Sequence, residues 1–123
     1  MGIAVVGSGV DTLQLHNFDD VTVFKLTVKE VGVYAVFARV VIGNNDGDFQ
    51  NATVRVTHGN GFDVIDQTDI RIPNNGSYSV PLQGTLRVVP NAPTVMELRC
   101  QTFNGFARQF SLFAVQVDAL SFD

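Results

Sequence analysis

Apolar residues recur at alternate positions in short runs along this chain, and Gly, Asn, Asp and Pro separate the runs. A strand has a side-chain period of two, so each run sorts its residues onto two faces. The runs predict strands at Ile3–Val6, Leu13–His16, Thr22–Val28, Tyr34–Ile42, Ala52–Thr57, Phe62–Ile65, Asp69–Ile72, Ser77–Leu82, Leu86–Val89, Val95–Thr102, Arg108–Val117 and Leu120–Phe122. Between them lie NNDGD at 44–48, HGNG at 58–61, PNNG at 73–76 and PNAP at 90–93. These segments supply Gly or Asn for positive φ, or Pro to fix φ, as tight turns require. Regular short strands with such punctuation predict an all-β sandwich or barrel. No window supports a long helix. The stretch Val10–Val31 lacks Gly and Pro, but TVFKLTV at its end alternates and is rich in β-branched residues, so it reads as a strand.

Two runs depart from simple alternation. In Arg108–Val117, Phe113, Val115 and Val117 share one face after Ser111, and Phe110, Leu112 and Ala114 the other before Gln116. In Tyr34–Ile42, Tyr34, Val36, Ala38, Val40 and Ile42 share one face, and Ala35, Phe37 and Val41 lie on the other with Arg39. A strand between a core and solvent alternates apolar with polar. These two need cover on both sides. With no helix to supply it, a second copy of the protein is expected to do so. Placed together, Phe37, Val41, Phe110 and Leu112 would form one contiguous outer patch, large enough to mark an interface. Phe103 and Phe106, on either side of Asn104-Gly105, are further candidates. The plainer alternative is that loops of the same chain fold over the patch.

Composition supports the first view. The chain has 123 residues, read as one module, with 46% hydrophobic and only 16% charged residues. A domain of that length buries roughly 65–70% of its unfolded surface and needs no metal or disulfide to fold. Ten Phe and no Trp supply large rigid apolar groups suited to cores and permanent interfaces. The net charge of -4, with basic residues spread along the chain, argues against nucleic acid or an anionic membrane as partner. No apolar run approaches the ~18 residues of a membrane span. The start, MGIAVVGSGV, lacks the basic and long apolar regions of a cleaved signal, and its leading Met-Gly fits a domain excised from a longer protein.

Catalytic chemistry is sparse. His16 ends a short strand, His58 opens the HGNG turn and Cys100 sits inside a strand, with nothing to unite them as nucleophile and base. A lone cysteine forms no intramolecular disulfide and reads as a small buried hydrophobe. No phosphate loop, dinucleotide fingerprint or paired-cysteine motif is present, and no cofactor is expected. Asp46 and Asp48, with Asn44, place alternate oxygens around Gly47, as small Ca²⁺ loops do. The same residues are equally good turn chemistry, and the liganding pattern is incomplete. Asp63, Asp66 and Asp69 read as a solubilising edge. The sequons at Asn51 and Asn75 matter only in a eukaryotic secretory pathway.

The order of features is similar to the TNF-like globular heads of complement-type and short bacterial collagen-like proteins. FKLTVKEVGVYAVFARVVI, with Gly32-Val33-Tyr34, resembles their strand–Gly-x-Tyr–strand segment. GSYSVPLQGTLRVVPNAPTVMELRC resembles the strands between, and FSLFAVQV the closing core strand. The likeness runs over roughly residues 20–122, without a collagen repeat upstream. It implies a two-sheet antiparallel jelly-roll sandwich forming a homotrimer, with aromatic and aliphatic residues of one sheet's outer face at the three-fold axis. Two functions are consistent with it. One is a non-catalytic structural or interaction trimer displayed at a cell or spore surface, or heading a longer protein. The other is a carbohydrate-binding module or lectin, for which the lack of Trp removes the commonest stacking platform.

Overall fold

A computed structural model describes residues 4–9, 11–59 and 63–117. Its nine strands are β1 (Ala4–Gly9), β2 (Leu13–His16), β3 (Val21–Val28), β4 (Gly32–Asn44), β5 (Gln50–His58), β6 (Asp63–Ile72), β7 (Ser77–Val88), β8 (Thr94–Thr102) and β9 (Asn104–Val117). The described residues contain no helix. Most predicted strands are present within a few residues of their expected ends. The expected strand Leu120–Phe122 lies outside the described residues, as do Ile3 and Phe62.

All pairing is antiparallel and makes two sheets. Sheet A runs β1-β9-β4-β7, with β2 beside β1 on the same edge of β9. Sheet B runs β3-β8-β5-β6. If β1 and β2 are counted as one interrupted strand, the chain changes sheet at every connection except the β5–β6 hairpin. That is the winding of an eight-stranded jelly roll. The two sheets bury alternate side chains against each other. Tyr34, Val36, Val40 and Ile42 of β4 and Leu112 and Ala114 of β9 meet Val54 and Val56 of β5 and Met96 and Leu98 of β8.

Two pairs of predicted strands merge. Phe62–Ile65 and Asp69–Ile72 belong to one strand, β6, and Ser77–Leu82 and Leu86–Val89 to another, β7. Gly84 falls in the gap between the two expected runs, and glycine favours turns. It serves instead as a close-approach residue inside a strand, where any Cβ would strike Ile65 of β6. That contact closes one flank of the sandwich. In a strand, residues that share a face also point their N–H and C=O groups to the same edge. Gln83 N–H points toward β6, where it donates to Asp66 Oδ2 at 3.0 Å. Pro81, two residues away, has no N–H to offer. The edge of β7 is thus blocked against further strand pairing.

Asn44 ties one end of the sandwich together. It is 2% exposed. Its Nδ2 donates to the carbonyls of Asp48 at 2.6 Å, Ile72 at 3.1 Å and Pro73 at 3.2 Å. Its Oδ1 accepts from Asp46 N at 2.7 Å, and its own N–H donates to Gly76 O at 2.9 Å. One side chain therefore holds the β4–β5 turn to the β6–β7 turn. Replacing Asn44 with Ala leaves buried carbonyls unpaired, each costing about 1–3 kcal/mol. The urea midpoint of Asn44→Ala is expected to fall by an amount equivalent to about 2–4 kcal/mol. Asp46→Ala, which loses one exposed turn contact, should move it by less than about 1 kcal/mol.

Candidate functional site

The two outer faces of the sandwich differ in kind. Outside sheet B lie Thr22, Lys25, Glu97, Arg99, Gln101, Thr53, Arg55 and Asp69. They pair with one another and with Asp20: Arg99 Nε donates to Asp20 Oδ2 at 2.9 Å, Arg55 to Gln101 Oε1 at 2.6 Å and Thr53 to Asp69 Oδ1 at 2.8 Å. This is an ordinary solvated face.

Sheet A is apolar where sheet B is charged. Its central strands carry Val33, Ala35 and Phe37 directly opposite Val117, Val115 and Phe113. The rings of Phe37 and Phe113 stack at 5.0 Å with 24° between their planes, and Phe37 remains 39% exposed. Arg39, exposed and opposite Ser111, ends the ladder; beyond it Val41 faces outward, and Phe106 covers Gly43 under the guanidinium of Arg108, which sits 5.2 Å from the ring centre. Beside the Phe37–Phe113 stack, toward β7, a shallow concavity of about 680 Å³ is edged by Arg39, Gln83, Asp66 and Ser111.

The six residues expected at an interface are therefore not one patch. Phe37, Val41 and Phe106 lie on the outer face of sheet A. Phe110 and Leu112 do not: they are 8% and 0% exposed, inside the sandwich, and Phe110 packs on Phe24 at 5.6 Å. The reason is a bulge. Val41 pairs with Arg108 and Arg39 with Ser111, so β9 spends an extra residue there, with Gln109 at φ 50°. Beyond the bulge Phe113, not Phe110 or Leu112, stands beside Phe37. Both faces of this segment are apolar, so alternation alone did not tell in from out. Phe113, Val115 and Val117 were missed for the same reason.

Phe103 lies elsewhere, at the end of the sandwich. It is 50% exposed and meets Phe18, itself 47% exposed, with ring centres 5.9 Å apart. Phe18 sits in the turn His16–Asp19, closed by Asp19 N–H donating to His16 O at 2.9 Å. Asn17 and Phe18 have φ of 56° and 58°, the left-handed pair of a type I′ turn. Asn suits that conformation; a bulky aromatic in it costs about 1–3 kcal/mol.

The other candidates separate. His16 is at the end of the sandwich that carries Phe103, paired with Asn104, and His58 is at the opposite end, paired with Met96 and Asp63. Cys100 is fully buried, and its thiol is pushed up to about 12 by burial and, secondarily, by the charge of Asp20. Asp46 Oδ1 accepts from Gly47 N at 2.7 Å and Asp48 Oδ1 from Phe49 N at 2.8 Å, so each carboxylate supports its own turn. Among the described residues no three or more His, Cys, Asp and Glu gather as a metal site, and no helix is long and apolar enough to cross a membrane.

No family model and no curated protein matches the chain. Solved structures do. The sandwich is similar to a chain from infectious bursal virus derived T=1 particles, with a TM-score of 0.58, 14% identity and 94% of this chain covered. It is similar also to the VP2 subviral particle of infectious bursal disease virus, with a TM-score of 0.59 at 12% identity and the same coverage. The chain spans 31% and 33% of the lengths of those two chains. At such identity the likeness shows the fold: an all-β jelly-roll-like sandwich.

Two measurements check the chemistry assigned here. Melting in EDTA and in millimolar Ca²⁺ should coincide, and a large stabilisation lost in Asp46→Ala would make the turn a calcium site. Cys100 should resist thiol reagents at pH 8 until the fold opens. Because its pKa rises on folding, from 9.0 to about 12, its contribution to stability is complete below pH 9 and is lost as pH climbs toward 12. Labelling of the native protein at the rate of a free thiol would contradict its burial.

Proposed function

We propose that this domain is a non-catalytic structural module that associates as a homotrimer through the outer face of sheet A. The observation that carries the reading is the cross-strand ladder of Val33–Val117, Ala35–Val115 and Phe37–Phe113 on a face that a free sandwich would leave wet. Sheet B places charged and polar groups at the equivalent positions. An apolar strip along the two central strands of only one sheet marks a surface meant for cover. Closed cyclic symmetry lets each copy offer the same strip and leaves none exposed. A count of three is what the resemblance to TNF-like heads implies. Similar sandwiches are parts of chains that build T=1 and subviral particles, which supports assembly as the use of this fold. The module is expected to act at a surface or as the head of a longer protein.

Light scattering at micromolar concentration should give three times the chain mass of 13.4 kDa. Phe37→Asp and Phe113→Asp place a carboxylate in the desolvated strip. Each should weaken association by about a hundredfold or more, as the loss of an interface hot spot does, and yield a folded monomer. Phe110→Asp instead buries an unpaired charge in the core and should prevent folding. A parent protein that is monomeric, or a trimer indifferent to both Phe37→Asp and Phe113→Asp, would overturn the assignment.

A further inference from the structure

We infer that the loop end bearing Phe18 and Phe103 binds a neutral pyranose ring of a glycan. The inference is independent of the assembly proposed above, because neither phenylalanine belongs to the outer face of sheet A. Backbone bonds fix the end firmly: Asn17 N–H donates to Phe103 O at 2.7 Å, Phe18 N–H to Thr102 O at 3.0 Å and Asn45 N–H to Asn104 O at 3.1 Å. Three connections, β2–β3, β4–β5 and β8–β9, thus meet around one aromatic pair.

The pair calls for a reason. Glycine is the natural residue at position 18, since the second left-handed residue of a type I′ turn carries no Cβ penalty only when it is glycine. Phe18 keeps a strained backbone and an exposed ring. Strain of that kind persists where a side chain is used. Two adjoining exposed rings, with centres 5.9 Å apart and planes tilted by 44°, offer an angled apolar surface, either ring of which can receive the C–H face of a sugar.

The polar groups around the platform match hydroxyls. Asn17 and Asp19 flank Phe18 in its turn, Asn104 follows Phe103, and His16 pairs with Asn104 at the rim of sheet A. An amide offers both donors and acceptors, and a neutral imidazole one of each, as a hydroxyl does. A cationic peptide would want a ring of free carboxylates instead; Asp19 is the one beside the pair, since Asp20 already accepts from Arg99 at 2.9 Å. The charge of Asp19, next to Phe18, disfavours anionic sugars.

The test is a titration of the isotope-labelled protein with methyl β-galactoside, methyl β-glucoside and sialyllactose, followed by amide shifts, with a glycan array in parallel. Shifts from a neutral glycoside should concentrate at residues 16–19, 45 and 103–104, with sialyllactose at least tenfold weaker. Phe18→Gly suits the turn, so it should melt no lower than the parent while losing tenfold or more in sugar affinity; Phe18→Tyr should retain binding. No shift at this end with any neutral glycan, on the array or in solution, would overturn the inference. So would unchanged affinity in Phe18→Gly, or shifts at this end from a Lys-rich peptide alone.

Discussion

Past the bulge at Gln109, β9 sets Phe113 opposite Phe37 and Leu112 opposite Ala38, and that one-residue choice fixes which side of the central pair meets the other sheet. Side chains alternate with period two, so a slip of one would send Leu112 and Ala114 outward and Phe113, Val115 and Val117 inward. The inner set is smaller and meets a closely packed opposing layer of Val54, Val56, Met96 and Leu98. The outer set keeps its bulk where no second sheet exists to receive it. Both the core and the unpartnered face follow from this register.

The ends of the sandwich obey a different constraint. Each change of sheet carries backbone polar groups across the edge of the core, where they must be paired. Asn44 does this for two turns at once. Gln50 does it for a third connection: its Oε1 accepts from Asn104 N–H at 2.8 Å, beside the hydroxyl of Thr102. These side chains hold the connections in place, which leaves the tip residues free to carry exposed groups. A strained Phe18 is tolerable there because two backbone bonds to the β8–β9 connection and one within its own turn over-determine its position.

Much of this was legible in the chain. Alternation located the strands, and Asn, Gly and Pro located most turns, because both signals are local. The all-β sandwich follows from them. What remained hidden depended on partners. Gly84 reads as a turn unless one knows that Ile65 lies against it. Arg108-Gln109 gives no sign of a bulge, since neither residue favours positive φ, so the two apolar faces of β9 were interchangeable on paper. Asn44 was visible as a turn residue, yet its bonds to Ile72 and Pro73 span 28 and 29 positions. Phe103 was grouped with Phe106 by proximity in sequence, although the two point to different surfaces.

The two proposed surfaces bear on each other through geometry rather than contact. In a trimer closed through sheet A, the polar face of sheet B and the loop end remain in water. Three copies of the loop end then belong to one particle. A shallow platform of two phenylalanines with a handful of hydroxyl-matching groups encloses little of a sugar, and one such site is intrinsically weak. Linked sites turn the second and third binding events into intramolecular ones, which raises avidity by about 10²–10⁴ without any new contact, provided the ligands are spaced to reach. On this view the stacked pair Phe37–Phe113 would matter to recognition as well as to assembly. Removing it would leave each loop end intact and bound to a monovalent sugar as before, while abolishing capture of a multivalent surface.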